Sequence, residues 1–474
     1  MRSLWTSTEA VRATGGDAFG PAWQATGLSI DSRTLAEGDL FVALKGPNHD
    51  GHDHVAAALA AGAAAALLQR RPTEVPADAP LLLVEDSLAG LCRLAVAARR
   101  RSRARIIAVT GSVGKTGSKE MLKLALGGET TTHASLGSLN NHWGVPLSLA
   151  RLPVAARFGV FELGMNHPGE IAPLAEMVRP DIAIITSVEA VHLEFFASVR
   201  DIALAKAEIF TGLAPSGLAI LPRDNPHYPL LQRSALDAGV TRIQGFGSHI
   251  ESSARLLDYA VTDDQTVVFA LIGDRPISYR VGAQGRPWAI NSLAVLLAAD
   301  AVGIPLEIAA AALSTLAPPK GRGAQQTLPW GAGHLTVIDE SYNASPVSVA
   351  AALATLSRLR ATKGGRRIAV LGDMLELGAS ASALHRGLAA AVAQCDIDLV
   401  FTAGPLMAHL FEALPRQRRG GHAEDAQKLA PLLADRLRRG DLVMVKGSAG
   451  SRMGRVIAHL EALAMPLAPV ANGH

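Results

Sequence analysis

A glycine-rich segment near residue 110 has the residue types of a phosphate-binding loop. The apolar run 106–109 precedes Thr110-Gly111-Ser112-Val113-Gly114-Lys115-Thr116-Gly117, and a helix-compatible segment follows. Glycines let backbone N–H groups turn toward an anion, and the start of a helix adds a positive dipole end. Lys115 can reach the β- and γ-phosphates of a nucleotide, and the Thr116 hydroxyl can hold Mg²⁺. Residues 111–117 therefore predict a nucleotide site, although an ordinary strand-to-helix turn would use the same glycines.

The spacing of this loop departs from the full Walker pattern G-x-x-x-x-G-K-[ST]. Val109 stands where the first glycine of that pattern would fall, so the loop is a shorter G-x-x-G-K-T. Such a short loop is a weak signal when it is taken alone.

Two polar side chains follow other apolar runs in the same region. Glu162 comes after the run 157–161, and His192 lies in the loop after the run 182–188. A carboxylate and an imidazole at neighbouring strand ends, beside a phosphate loop, could hold Mg²⁺ against phosphates. A helix-capping carboxylate and a loop histidine without a role are the plain alternatives.

Four further candidate residues are a lysine in a helical stretch and three residues of a polar loop nearer the C-terminus. Lys206 reads most simply as a solvated lysine close to Glu208. Asp339 and the pair Tyr342-Asn343 follow an apolar run, where they could offer acceptors and a ring to a ribose or a base. An Asn/Ser/Pro turn is the alternative interpretation of that loop.

Bulk properties limit the classes of protein to consider. At 474 residues, with 49% hydrophobic residues, the chain is long enough for about three domains. A net charge of +3 argues against a protein that wraps a polyanion, so we expect no nucleic-acid partner. Cys92 and Cys395 form neither a disulfide framework nor a metal motif, and the N-terminus lacks the apolar core of a signal peptide. We therefore expect a cytoplasmic, soluble protein without stable membrane insertion, and we expect a monomer.

Alternation of apolar runs with helical patterns predicts an α/β protein with three domains. These are a small N-terminal α/β domain (1–86), a central P-loop-type parallel-sheet ATPase domain (87–317) and a C-terminal Rossmann-like α/β domain (318–474). The second boundary is the Pro/Gly-rich segment 317–323. Strands are expected at 28–33, 39–44, 105–110, 157–163, 181–188, 217–222, 334–341, 366–374, 398–404 and 441–448, antiparallel strands at 254–262, 265–272 and 277–282, a buried helix and strand within 54–68, and a helix at Asn291–Val302.

The order of several short motifs along nearly the whole chain resembles the Mur ligase family, the ATP-dependent amide-bond-forming enzymes of peptidoglycan synthesis. The motifs are Asp31-Ser32-Arg33, 38–46, Asp50-Gly51-His52, 110–116, Asn140-Asn141, Glu162-Leu163-Gly164, His192-Leu193-Glu194, Lys206 with Glu208, Asp339 with Tyr342-Asn343, Leu371–Gly378 and Lys446-Gly447-Ser448.

The resemblance implies a division of labour among the domains. The first would hold a UDP-linked sugar-peptide, the second ATP, and the third would close over the site and bring the amine. It is greatest for the member that joins D-Ala-D-Ala to UDP-N-acetylmuramoyl-tripeptide through an acyl phosphate.

The resemblance also implies roles for individual residues. Lys115, His192 and Lys206 would be catalytic, and Thr116, Glu162, His192 and Lys206 would hold Mg²⁺, with Lys206 as a CO₂-derived carbamate. The nucleotide contacts would add Asn291, Arg322, Asp339, Tyr342 and Asn343 to the loop. The sugar-peptide contacts would be Ser32, Arg33, Lys45, Asp50, His52, Asn140 and Asn141.

Two positions depart from the family pattern. Relatives often carry a histidine four residues before the adenine-contacting asparagine, and here Pro287 stands there, so Trp288 could compensate by packing. Gly117-Ser118 replaces two hydroxyl residues, so one phosphate contact could come from the backbone alone.

Other functions remain open from the sequence. The preceding ligase, which adds a diamino acid, usually has an Asp-Asn-Pro-Arg motif that this chain lacks. A folylpolyglutamate synthase would leave the N-terminal unit unexplained. A non-catalytic nucleotide-binding regulator is disfavoured by the intact Lys115, Thr116, Glu162, His192 and Lys206.

Overall fold

Most of the apolar runs form strands in three main sheets of the computed structural model, which describes residues 3–362 and 364–464. Each sheet is largely parallel, and its strands are buried, as expected where helices cover both faces. The predicted α/β class with several parallel-sheet units is confirmed. No helix in the described part of the chain is both long and apolar enough to cross a membrane.

The first sheet is small and has five strands in the order β2-β7-β6-β5-β4, while β1 pairs with β3 apart from it. Its strands β4 to β7 run parallel, and β2 pairs antiparallel with β7. The strands of this region are β1 Trp5–Thr6, β2 Asp17–Phe19, β3 Gln24–Ala25, β4 Gly27–Ser29, β5 Asp39–Val42, β6 Ala65–Leu68 and β7 Leu81–Leu83. The helices are α1 Ser7–Thr14, α2 Val55–Ala60 and α3 Ser87–Arg101.

The second sheet has nine strands: the first seven along the chain run parallel to one another, and the seventh also begins an antiparallel meander with the last two. Its order is β16-β15-β14-β13-β12-β11-β8-β10-β9. The strands are β8 Arg105–Thr110, β9 Thr132–Ala134, β10 Phe158–Glu162, β11 Ile182–Ile185, β12 Leu218–Pro222, β13 Arg242–Gly247, β14 Ala254–Val261, β15 Thr266–Ile272 and β16 Arg275–Val281. The helices are α4 Lys115–Ala125, α5 Gly144–Ala150, α6 Ile171–Val178, α7 Val199–Ala207, α8 Tyr228–Asp237, α9 Arg286–Ala301 and α10 Leu306–Leu313.

The third sheet has six strands in the order β17-β18-β22-β19-β20-β21, and only β17 is antiparallel to its neighbour. The strands are β17 Ala324–Trp330, β18 Gly333–Glu340, β19 Arg367–Gly372, β20 Leu399–Ala403, β21 Arg419–Ala423 and β22 Leu442–Lys446. The helices are α11 Pro346–Arg358, α12 Ala381–Gln394, α13 Ala408–Ala413, α14 Ala426–Ala434 and α15 Gly454–Ala464.

The first two sheets share apolar packing through α3. This helix buries Leu91, Leu94 and Ala95 in the same cluster that contains Leu67 of β6 and Leu149 of α5. Trp5 adds a hydrogen bond from its indole N–H to the Ala150 carbonyl at 2.9 Å. The predicted boundary at residue 86 therefore falls just before α3, a helix that packs against elements of both the first and the second sheet. The three domain ranges remain predictions.

Two predicted elements differ at their ends for local reasons. The expected strand 28–33 stops at Ser29, because the Asp31 carboxylate accepts the Arg33 N–H at 3.0 Å and bends the chain into a turn. The helix expected at 291–302 begins five residues earlier, at Arg286. Pro287 is tolerated there because the first turn of a helix needs no backbone donor.

Candidate active site

The loop between β8 and α4 has the backbone of a phosphate cradle. Gly111 and Gly114 have φ values of +147° and +89°, which residues with a Cβ rarely adopt. A Cβ added to Gly111 would lie 1.9 Å from Thr186 Oγ1, so both the conformation and the space require glycine there. Because α4 begins directly after Gly114, its first turn presents its positive dipole end at the loop.

The end of β11 holds this loop in place. Thr186 Oγ1 donates to the Val113 carbonyl at 2.5 Å, and Val113 N–H donates to Ser187 Oγ at 3.1 Å. Ser112 N–H donates to the Ser187 carbonyl at 2.9 Å. The loop is therefore fixed by its neighbouring strand as well as by its own glycines.

Lys115 lies over the loop that precedes it. Its Nζ donates to the Gly111 carbonyl at 2.7 Å, and its side chain lines a cavity between the second and third sheets. Burial lowers the pKa of Lys115, while the nearby Glu162 carboxylate acts in the opposite direction and Arg322 lowers it further. A cation held in this position can neutralise charge on a transferring phosphoryl group.

Thr116 and Glu162 meet at the carboxyl end of the second sheet. Glu162 ends β10, which pairs with β8 so that Glu162 lies beside Val109. Thr116 Oγ1 donates to Glu162 Oε2 at 2.8 Å, and Asn140 Nδ2 donates to Glu162 Oε1 at 2.7 Å. The carboxylate is fully buried, and each of its oxygens keeps lone pairs for a further partner.

This donor set suits Mg²⁺ bound together with phosphates. Within residues 3–362 and 364–464 there is no cluster of three or more His, Cys, Asp or Glu side chains arranged for a metal ion. Mg²⁺ does not need such a cluster, because it commonly takes one or two protein oxygens and fills its octahedron with substrate phosphates and water. Thr116 and Glu162 offer a hydroxyl and a carboxylate beside the phosphate loop, so the residues present fit this ion.

His192, in the segment after β11, contacts the carboxylate of Glu376, which lies in the segment after β19 of the third sheet. His192 Nδ1 and Glu376 Oε2 are 2.5 Å apart. Burial lowers the pKa of the imidazole, although Glu376 raises it, and the cations Lys115 and Lys206 lower it further. Glu162 thus ends β10 and His192 follows β11, and these two strands flank β8 instead of lying side by side as the sequence analysis expected.

Lys206 is buried rather than solvated. It lies in the last turn of α7 with 2% of its surface exposed, and no described residue forms a hydrogen bond or an ion pair with its amine. Glu208, the partner expected for a surface lysine, instead accepts the backbone N–H groups of Gly169, Ile171 and Ala172. Burial holds the pKa of Lys206 well below its usual range, and Lys115 adds to this. The interpretation of Lys206 as a solvated lysine is therefore wrong.

A cavity of about 380 Å³ joins these groups to the region near α9 and α11. Its walls there include Asn291, which contacts Gly114, and Trp288, whose ring lies against Gly117. Pro287 also lines the wall, as do Ser348 and Thr355 of α11. The expected packing of Trp288 beside the loop is thus present, and it uses the space left by the missing side chain at residue 117.

The segment around β18 supplies the opposite wall. The Arg322 guanidinium stacks 4.0 Å from the Tyr342 ring centroid and donates to Ser138 Oγ at 3.2 Å. Tyr342 and Asn343 line the cavity, and their contact with a nucleotide stays a prediction. Asp339 does not line it, because its carboxylate is buried and accepts the Gly321 N–H at 2.9 Å and the Ser341 hydroxyl at 2.6 Å. Asp339 therefore shapes this loop, and a contact of its carboxylate with a nucleotide stays an untested prediction.

Three charged cavity residues, Glu340, Glu376 and Lys446, were not predicted as site residues, although Glu376 and Lys446 lie in motifs that carry the family resemblance. Lys446 ends β22 and donates to Glu340 Oε2 at 3.1 Å and to the Asn343 carbonyl at 3.0 Å. Both Lys446 and Glu340 line the cavity. Their positions at the carboxyl ends of neighbouring parallel strands were a usable signal.

The sugar-peptide candidates lie away from this cavity, except Asn140. His52 is 1% exposed, with Nδ1 2.6 Å from the Asp50 carboxylate and Nε2 accepting the Gln69 N–H at 3.1 Å. Arg33 is exposed and pairs with Asp31. None of the other N-terminal candidates, Ser32 and Lys45, lines the cavity, and Asn141 instead accepts the backbone N–H groups of Trp143 and Gly144. Substrate contacts by these residues remain predictions.

Comparison with known proteins assigns the class of this chain. The Mur ligase middle domain matches residues 109–299, the Mur ligase glutamate ligase domain matches 328–449, and the Mur ligase catalytic domain matches 24–95. The chain belongs to the Mur ligase family, whose members are ATP-dependent amide-bond-forming ligases.

Individual relatives narrow the comparison. The chain is 34% identical to the UDP-N-acetylmuramoyl-tripeptide–D-alanyl-D-alanine ligase of Bacillus subtilis, over 92% of this chain and 93% of that protein. It superposes on a crystal structure of MurF from Acinetobacter baumannii with a TM-score of 0.83 and 28% identity, covering 97% of this chain and 99% of that one. A crystal structure of a MurF ligase from Thermotoga maritima in complex with ADP superposes with a TM-score of 0.76 and 28% sequence identity, covering 92% of this chain and 97% of that one. The predicted resemblance and the predicted ligase class are confirmed.

Proposed function

We propose that this chain joins D-Ala-D-Ala to UDP-N-acetylmuramoyl-tripeptide with the consumption of ATP, and so completes the UDP-linked pentapeptide precursor of peptidoglycan. The observation that carries the proposal is similarity over nine-tenths of the chain to ligases named for this reaction, together with a cavity that unites Lys115, Thr116, Glu162 and His192.

The chemistry begins with an activation that these residues can promote. A free carboxylate is a poor acylating agent, so the tripeptide carboxylate would attack the γ-phosphoryl group and form an acyl phosphate. Lys115 neutralises charge on the phosphates, and the amides of the loop at 111–117 bind them. Mg²⁺, when bound, supplies a further positive charge between the two anionic reactants. Thr116, Glu162 and His192 are the residues that would hold it.

The second step needs an amine and a dry site. The amine of D-Ala-D-Ala would attack the acyl phosphate, releasing phosphate and a proton. The cavity lies between the second and third sheets, with Tyr342, Asn343 and Glu376 covering the side opposite the phosphate loop. Exclusion of water by these groups protects the reactive intermediate from hydrolysis.

Lys206 would act as a carbamate formed with CO₂. Its burial and lowered pKa support this proposal, because only a neutral amine reacts with CO₂. The product is an anion, which would replace an uncompensated buried cation beside Lys115 by a ligand suited to a dication.

The remaining assignments follow the same proposal. The region 1–86 would bind the UDP-sugar-peptide, the region 87–317 ATP, and the region 318–474 would deliver the amine. Lys45 would bind the sugar-peptide, and the support for this is that its neighbour Gly46 packs against Trp143 of the second unit, near the ATP-binding region. We propose that the enzyme works as a monomer. We also propose that it works in the cytoplasm, because ATP is available there.

The test is amide formation by the purified chain with UDP-tripeptide and a panel of acceptors. We expect D-Ala-D-Ala to react fastest, its C-terminal amide poorly, and D-Ala-D-Ser measurably, since one small group changes discrimination by only about 1–3 kcal/mol. Faster reaction with lysine or meso-diaminopimelate would assign the preceding step instead. If the rate of ATP hydrolysis were the same with and without UDP-tripeptide and D-Ala-D-Ala, the chain would be a nucleotide-binding regulator instead.

A further inference from the structure

The contact between His192 and Glu376 joins the two halves of the cavity. His192 follows β11 of the second sheet, and Glu376 follows β19 of the third sheet, 184 residues away in sequence. The backbone adds two contacts at the same place: Glu194 N–H donates to the Glu376 carbonyl at 3.3 Å, and Gly378 lies against the Leu193 carbonyl. The imidazole and the carboxylate thus meet only when the two sheets approach each other.

Both partners hold an uncommon backbone conformation. Among the described residues, four that are not glycine have positive φ, and His192 at +56° and Glu376 at +62° are two of them. Such a conformation is costly for residues with a Cβ and persists where the surroundings impose it. Here it turns both side chains toward each other across the cleft.

Glu376 is presented by a rigid support. Met374 N–H donates to His385 Nε2 at 2.9 Å, and Leu375 N–H donates to Ser448 Oγ at 3.0 Å. Leu377 is buried immediately after it. The Glu376 side chain itself is 43% exposed, so its carboxylate is not needed to fill the core of the third unit.

Only one nitrogen of His192 is used by this contact. Nδ1 faces Glu376, and no residue in the described ranges hydrogen-bonds to Nε2, while the ring lines the cavity beside Lys115. A metal-binding histidine usually donates its second N–H to a carboxylate, which fixes the tautomer and the ring orientation. Glu376 satisfies this requirement from the opposite half of the cleft.

We propose that Glu376 is a positioning residue that orients His192 toward Mg²⁺ and couples metal binding to closure of the cleft. This inference rests on the proposed function, since it takes the cavity as a Mg²⁺-nucleotide site. An open cleft leaves His192 without its carboxylate, so the site binds the ion fully only after the third unit has closed.

The test measures binding of Mn²⁺ to the ADP complex by electron paramagnetic resonance, which needs neither acceptor substrate. We expect Glu376→Gln to weaken Mn²⁺ affinity by about 10- to 100-fold and to leave ADP affinity without metal unchanged. Glu194→Gln is the matched control, because it removes an exposed carboxylate two residues from His192 that pairs with no described residue. Equal Mn²⁺ affinity in the wild type and Glu376→Gln would overturn the proposal.

A double-mutant cycle separates positioning from a general effect of the contact. In a His192→Gln background, Glu376→Gln should change Mn²⁺ affinity by less than about twofold, because its effect passes through the imidazole. The same loss in both backgrounds would contradict a positioning role. Small-angle scattering should show a larger radius of gyration for the ADP–Mg²⁺ complex of Glu376→Gln, and an unchanged radius would refute the coupling to closure. Amide formation by the wild type tests the proposed function separately.

Discussion

Thr116 Oγ1 donates a hydrogen bond of 2.8 Å to Glu162 Oε2, and this bond ties the first turn of α4 to the carboxyl end of β10. The pair lies where the glycine-rich loop at 111–117 meets the carboxyl end of β10. Asn140 holds the second oxygen of the same carboxylate, so its orientation is defined before any ligand enters. Preorganised groups of this kind need little rearrangement during the reaction.

Replacing Thr116 should separate the role of its hydroxyl from that of its shape. Thr116→Val keeps the volume but removes the oxygen, so we expect kcat/KM to fall by at least about a hundredfold, or roughly 3 kcal/mol of barrier. Thr116→Ser keeps the oxygen and should stay within about tenfold of the wild type. Steady-state phosphate release over a range of Mg²⁺ concentrations provides the measurement. Equal activity of the valine and serine variants would argue against the hydroxyl as a metal ligand.

Gly117→Ala should destabilise the protein although it improves helix propensity. An added Cβ would lie 2.8 Å from the Trp288 ring, and relieving such overpacking costs about 1–3 kcal/mol. Replacing glycine by alanine in a helix stabilises the protein by only about 1 kcal/mol, so we expect the cost of overpacking to outweigh this gain. Urea unfolding should show the loss, and KM for ATP should rise because Trp288 is displaced. In a Trp288→Ala background the same change should become neutral or stabilising, and persistence of the loss there would refute this explanation.

Activity should depend on dissolved CO₂ if Lys206 carries a carbamate. We expect the wild type to lose most of its activity in CO₂-free buffer and to regain it on addition of bicarbonate. Lys206→Ala should be nearly inactive at any CO₂ level and partly rescued by a short carboxylate. Carbon-13 NMR with labelled bicarbonate provides a direct readout of the carbamate. Full activity of Lys206→Ala, or no response of the wild type to CO₂, would exclude this role.

Acid should destabilise the fold partly through His133. Burial lowers the pKa of His133 to about 4 from its ordinary 6.5, although its contact with the Ser148 carbonyl acts in the opposite direction. Below pH 6.5 the unfolded chain binds a proton that the folded chain takes up only near pH 4, so the free energy of unfolding falls as pH decreases through this window.

The size of this effect follows from the shift. One pKa unit corresponds to about 1.4 kcal/mol, so the wild type should lose roughly 1–3 kcal/mol more than His133→Gln between pH 7 and pH 4. Urea unfolding at several pH values provides the comparison, and His142→Gln, at an exposed histidine, is the control. Parallel pH profiles of the wild type and His133→Gln would contradict the assignment.

Local sequence was sufficient for much of the central unit. Apolar runs ending in Thr110, Glu162 and the loop of His192 predicted parallel strands, because residues buried on both faces need no alternation. Short strands such as β9, β13 and β21 were missed, since glycine, polar residues or brief length weaken their pattern. The ends of α9 were shifted because a proline in the first turn reads as a break.

The sequence by itself therefore determined the glycine-rich loop at 111–117 with Lys115 and Thr116, the α/β class and the family. These depend on residue types at short spacing. The tertiary structure alone decided that Lys206 is buried without an anion, that Asp339 serves its own loop, and that Glu376 meets His192. Burial and pairing between residues far apart in the chain depend on how sheets pack, and local spacing carries no record of that packing.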